Sequence, residues 1–137
     1  FNTLVGKTVA LLGFAFKQDT GDTRDSPAIP LCEKLLGEHA NVRVHDPKAL
    51  ENAKIDLQEM QGNVRFVEDV YEAVDGVHAI ALVTQWAEYR ELDFERIYNK
   101  MVKPAFIFDG RNHLEHEKLF EIGFNVFPLG KPPLKHV

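Results

Sequence analysis

Three cations in this chain stand where an anion could be held. Lys17 and Arg24 bracket the polar run Asp19-Thr20-Gly21-Asp22-Thr23, and Arg111 closes the triplet Asp109-Gly110-Arg111. A lysine just past a strand end and an arginine just before a helix start suit a phosphate or pyrophosphate. Gly110 frees the backbone to turn, so that Arg111 could point over a sheet edge at an anion. Each cation also has a plain alternative. Asp19, Asp22 and Asp25 could offset Lys17 and Arg24 as solvated loop charges, and Asp109 could pair with Arg111. On the residues alone the two readings weigh evenly.

Other chemistry-bearing residues read more simply. Gly13 is followed by Phe14 and Phe16, and Gly21 lies outside G-x-G-x-x-G spacing, so the loop is not a dinucleotide fingerprint. Asp46 ends a strand where an acid can hold a ribose, but His45-Asp46-Pro47 points rather to an Asx-type turn. Cys32 sits on an apolar helical face, as a buried inert thiol does. His113 and His116 share helical i, i+3 spacing and read as a solvated face rather than metal ligands. Trp86 could stack on a base, although a core aromatic following a strand is the simpler expectation.

Short apolar strands alternating with helices must position these residues. Residues 7–12 read as a buried strand, followed by a helix with Ser26 as N-cap and Pro27 at its first position. Ile29, Leu31, Cys32, Leu35 and Leu36 form its apolar face. Strands are expected at 41–45, 64–66, 78–83, 106–108 and 124–129. Helices are expected at 53–60, from an Asp69 cap to Gly76, at 87–92, at 94–102 behind an Asp93 cap, and at 113–122. Residues 131–137 read as a tail. The fold class is α/β: a doubly wound, mostly parallel, Rossmann-like sheet in three α/β/α layers, forming a single domain. In such a sheet the polar strand ends Phe16-Lys17, Asp46-Pro47, Thr84-Gln85-Trp86 and Asp109-Gly110-Arg111 should converge on one edge.

Composition agrees. A chain of 137 residues with 45% hydrophobic content suits one domain with a real core. A net charge of −5 argues against a nucleic-acid partner. No apolar run reaches the ~20 residues needed to span a bilayer, so no membrane partner is expected. A single cysteine excludes an internal disulfide and any cysteine-based metal cluster. A cytoplasmic location is the default.

Taken together, Leu-Gly-Phe-Ala-Phe-Lys-Gln-Asp-Thr-Gly-Asp-Thr-Arg-Asp-Ser, His-Asp-Pro, Thr-Gln-Trp and Lys-Pro-Ala-Phe-Ile-Phe-Asp-Gly-Arg resemble the C-terminal domain of UDP-glucose 6-dehydrogenases, within the wider UDP-glucose/GDP-mannose dehydrogenase group. The resemblance implies a UDP-sugar-binding domain over residues 1–130 of this chain, with UDP-glucose or a related UDP-sugar as ligand. It implies a parent enzyme that oxidises UDP-glucose to UDP-glucuronate in two NAD-dependent steps through a cysteine thioester. Phe16, Lys17 and Arg111 match family residues that contact substrate, and Arg24 matches one that contacts NAD. The partners implied are an N-terminal NAD-binding domain and, for the parent enzyme, further copies in a homo-oligomer. The Gly-Gly-Ser-Cys loop that carries the family's catalytic thiol is absent, as is the NAD fingerprint. The chain alone is therefore expected to be inactive, with no catalytic residue of its own. The alternative from a different class is a stand-alone nucleotide-binding or regulatory module.

Overall fold

The computed structural model describes residues 3–17 and 19–137. Six strands form one sheet: β1 (Thr8–Leu12), β2 (Asn41–His45), β3 (Val64–Phe66), β4 (Ala79–Leu82), β5 (Phe106–Asp109) and β6 (Asn125–Pro128). Their order across the sheet is β3-β2-β1-β4-β5-β6, and every neighbouring pair is parallel. The helices are α1 (Ala28–Gly37), α2 (Leu50–Asp56), α3 (Val70–Ala73), α4 (Phe94–Lys100) and α5 (His116–Ile122), with a 3-10 helix at Ala87–Glu91 before α4. The doubly wound parallel sheet expected from the sequence is the fold observed.

The strand sequences explain this order. β1 lies in the middle with helices on both faces, so Ala10, Leu11 and Leu12 are fully buried and the strand is apolar from Val9 onward. In β2, Val42 and Val44 are buried, while the intervening Arg43 points to the other face. Its guanidinium donates there to the carbonyls of Glu72 and Asp75 at 3.3 and 2.6 Å. A cation at the C-terminal end of α3 meets carbonyls that lack helical partners. On α1, Ala28, Cys32 and Leu36 recur every four residues and form the buried stripe. Pro27 already has helical angles, and Ser26 Oγ accepts from Ala28 N–H at 3.2 Å, so the serine caps the helix as its type predicts.

Most elements are shorter than expected by one to three residues, as α3, α4 and β6 are, and three regions differ more in kind. The second helix runs over Leu50–Asp56 rather than 53–60, and α5 starts at His116 rather than at 113. Both shifts follow from strand-end carboxylates that capture nearby backbone N–H groups. Residues 131–137 are docked rather than trailing. Leu134 forms a two-bond antiparallel bridge with Val126, and the His136 ring stacks on Phe120 at 4.0 Å. No helix among the described residues is long and apolar enough to cross a membrane.

The direction of winding reverses between β1 and β4, which opens a crevice at their carboxyl ends. Gly13 makes the turn out of β1 there, with φ +97°. A Cβ at Gly13 would sit 2.6 Å from the backbone nitrogen of Thr84, inside the space held by the next strand end. Gly13→Ala is therefore expected to lose about 3 kcal/mol or more, combining left-handed strain with a backbone clash. Gly6→Ala, also at positive φ but with nothing within 4 Å, should lose only about 1 kcal/mol. Urea denaturation of the two variants reads the difference directly.

Candidate functional site

The three residues leaving β1 at the crevice, Phe14, Ala15 and Phe16, have lost their sheet partners. Their six backbone polar groups are nevertheless all bonded. Asp46 Oδ2 accepts from Phe14 N–H at 2.7 Å and Ala15 N–H at 2.9 Å. Ser26 Oγ donates to the Phe14 carbonyl at 2.7 Å, and Thr84 Oγ1 donates to the Ala15 carbonyl at 2.8 Å. Phe16 N–H donates to the Asp22 carbonyl at 2.7 Å, and the Arg111 guanidinium approaches the Phe16 carbonyl at 3.5 Å. The ends of β2, β4 and β5, the start of α1 and the Asp22 carbonyl thus hold the single turn of backbone that leaves β1. The convergence expected from the sequence is what the sheet produces.

Arg111 is pinned from two sides while remaining exposed. Its Nε donates to the Val83 carbonyl at 2.8 Å, and its backbone N–H bonds Asp109 Oδ1 at 3.1 Å. The guanidinium therefore spans the ends of β4 and β1, with donors left over on its open side. Phe16 is 45% exposed beside it, and Lys17 is exposed one residue on. Arg111, Leu31, Ala81 and Phe108 line a cleft of about 350 Å³ that runs down between α1 and the sheet. That is the lower end of the size range for small-molecule sites. A second hollow, of about 250 Å³, lies away from the strand ends, between the 3-10 helix and α5.

Arg24 is not drawn into this cluster. Its Nε and Nη2 make a two-pronged bond to the Asp22 carboxylate, with the shortest arm at 2.8 Å, and its side chain is 87% exposed. That bond holds the Asp22 carboxyl at about 2, well below its ordinary value. The structure thus places Phe16 and Arg111 together, Lys17 next to them, and Arg24 to one side facing outward.

Asp109 organises the loop that carries Arg111. It is buried, and Oδ2 accepts from Leu114 N–H and from His116 Nε2, both at 2.8 Å. Burial alone pushes its pKa up, but the bonds from Leu114, His116 and Arg111 outweigh that effect and hold it below the usual carboxylate value. This corrects the expectation for the two histidines. His113 and His116 are not a solvated helical face. His113 lies before α5, with Nε2 bonded to the Trp86 carbonyl at 2.9 Å, and the His116 side chain is only 12% exposed against Asp109.

Asp46 makes the Asx-type turn that its context suggested. Oδ1 accepts from Lys48 N–H at 2.8 Å and Ala49 N–H at 2.9 Å, which draws the chain into α2 early. Oδ2 takes a third donor, the Trp86 indole N–H at 3.1 Å. Trp86 is buried, as a core aromatic should be. Next to them, His45 Nδ1 lies 2.8 Å from the Tyr89 hydroxyl, which in turn donates to the His45 carbonyl at 3.3 Å. Cys32 is fully buried and its thiol is pushed up to about 11. Sequence reasoning missed the bridging roles of Asp46, Asp109, Ser26 and Thr84. The available signal was a buried-type acid or hydroxyl directly at each strand end.

Residues 10–116 match the UDP-glucose/GDP-mannose dehydrogenase family, UDP binding domain. The chain belongs to this family. Over 96% of its length it is 45% identical to UDP-glucose 6-dehydrogenase 5 of Oryza sativa subsp. japonica and 44% identical to UDP-glucose 6-dehydrogenase 1 of Arabidopsis thaliana. It spans 31% of the length of each of these relatives. Among solved structures, the NDP-N-acetyl-D-galactosaminuronic acid dehydrogenase of Methanosarcina mazei Go1 superposes over 94% of this chain and 26% of its own, with a TM-score of 0.79 and 28% identity. The UDP-glucose dehydrogenase of Pyrobaculum islandicum covers 89% of this chain and 26% of its own, with a TM-score of 0.69 and 31% identity.

The strand-end network fixes how the domain responds to acid. Burial lowers the His45 pKa below its ordinary 6.5, against the opposing pull of Asp46. The unfolded chain then binds the proton first, so stability falls as pH drops below 6.5. Asp109 has the same sign at lower pH: its contribution is present above 3.8 and is lost as pH falls through its depressed folded value. His78, lowered below 6.5 by burial and by Lys7, acts in the same direction and window as His45. Thermal melts from pH 8 to pH 3 should therefore show two successive losses, and His45→Gln should reduce the upper one, with His78 supplying the remainder.

Proposed function

We propose that this chain is the UDP-sugar-binding part of an NAD-dependent UDP-glucose 6-dehydrogenase, with the binding domain over residues 1–130 and a docked tail at 131–137. The observation that carries the proposal is Arg111, held across the β4 and β1 ends beside the exposed Phe16-Lys17 pair. Its remaining donors suit the oxygens of a sugar nucleotide, with Lys17 adding a point charge. Family membership and the relatives' names support the ligand class. Phe16, Lys17 and Arg111 take the substrate role, and the outward-facing Arg24 is available to NAD bound elsewhere in a longer protein.

The residues at the strand ends do not fit NAD in the usual Rossmann manner. The acid that would hold the ribose, Asp46, is buried with both oxygens occupied by backbone and indole donors. Nor does Cys32 suit a thioester. A fully buried thiol held up at about 11 is neither accessible nor ionised at neutral pH. Oxidation of the sugar then requires a cofactor site and a reactive thiol from outside these residues, and this chain supplies half of a ligand site.

Calorimetric titration of the chain with UDP tests the proposal. Weak binding is expected, with a Kd of about 1 mM or tighter, equivalent to about −4 kcal/mol. Arg111→Ala should weaken it at least about tenfold, since a charge-assisted hydrogen bond contributes about 1.5–3 kcal/mol. Binding unchanged in Arg111→Ala would remove the residue from the site. No uptake of UDP by the parent chain would overturn the ligand assignment for this domain.

A further inference from the structure

We propose that Asp46, which does not face the cleft, is the positioning residue for the UDP-binding turn; this rests on the ligand class proposed above. Five N–H groups converge on its two oxygens: Phe14, Ala15 and the Trp86 indole on Oδ2, and Lys48 and Ala49 on Oδ1. The side chain is almost wholly enclosed, at 2% exposure. All five of these partners are donors. Only a group that accepts on both oxygens satisfies them, and a carboxylate does so without rotating. Phe16-Lys17 continues directly from the two amides that Oδ2 fixes. The direction in which these residues leave the sheet is therefore set by a residue on the neighbouring strand.

The same carboxylate joins three segments with no covalent connection nearby: the turn after β1, the start of α2, and the loop after β4. Trp86 is the only tryptophan of the chain and reports on this junction through its indole bond. A ligand that settles against Phe16-Lys17 should consequently be felt at Lys48 and Ala49, on the far side of the carboxylate from the turn.

Asp46→Asn separates positioning from space-filling, because the amide keeps the shape but must turn its NH₂ toward either two or three existing donors. The 137-residue chain carrying this change is compared with the parent and with Asp93→Ala, which removes a helix cap elsewhere and lowers stability without touching the turn. Calorimetric titration with UDP should show at least a tenfold loss of affinity in Asp46→Asn and less than a twofold change in Asp93→Ala. Hydrogen exchange followed by NMR should show Phe14 and Ala15 amides exchanging at least tenfold faster in Asp46→Asn, with those of β1 still protected. Should Asp46→Asn not fold, the parent alone decides: saturating UDP is expected to shift the amide resonances of Lys48 and Ala49 and the emission of Trp86. UDP affinity within twofold of the parent in Asp46→Asn, unchanged exchange at Phe14 and Ala15, or silent Lys48 and Ala49 resonances would each overturn the inference. A parent that binds no UDP fails a different claim, the ligand class itself. The positioning role falls with it, while the exchange data still say whether Asp46 holds the turn.

Discussion

A parallel sheet leaves backbone polar groups without partners at each strand end, and buried groups cannot be left so. That constraint shapes the whole carboxyl edge of this domain. The ladders of β1 with β2 and β4 end at Leu12, and Phe14 and Ala15 continue buried with no ladder to join before the chain emerges at Phe16. Side chains from other strand ends and from the start of α1 complete the bonding: Asp46 for two amides, Ser26 and Thr84 for two carbonyls, Arg111 for a third. Each of these side chains is itself fixed by a second bond or by burial. The edge is rigid because the polar groups have few alternatives.

That rigidity bears on ligand recognition. Among the described residues no carboxylate meets the Arg111 guanidinium; carbonyl oxygens hold it, so it is oriented without being neutralised by them. Arg24 is the contrast, its charge largely answered by Asp22 in solvent. An arginine aimed by neutral oxygens keeps its full field for an anion, whereas one paired to an acid must exchange partners first. The two arginines are thus prepared for different tasks, one for holding a ligand and one for an exchangeable surface contact.

Much of this was legible in the chain itself. The apolar run of β1, the Ser26-Pro27 start of α1 and the caps Asp69 and Asp93 are local signals, and local signals survive folding. So did the convergence of polar strand ends, because the winding rule for parallel sheets brings them together whatever the loops do. The linking bonds were not legible. Asp46 lies more than thirty residues from Phe14 and forty from Trp86, and its partners on residues 14 and 15 are backbone amides, which every sequence possesses. The histidine pair misled for a related reason. Its i, i+3 spacing fits a helix, but Asp109 captures Leu114 N–H and the His116 ring and holds the first three residues out of it.

The docked segment at residues 131–137 has a consequence for solubility. β6 is an edge strand, and an edge offers bonding groups that a neighbouring molecule can pair with. Leu134 occupies both outward groups of Val126, and His136 N–H binds the Asn125 side chain, so the middle of that edge is capped from within the same chain. The opposite edge, β3, is protected differently, being only three residues long. Among the described residues the sheet therefore presents no long open strand on either side, and strand-to-strand polymerisation has little to start from.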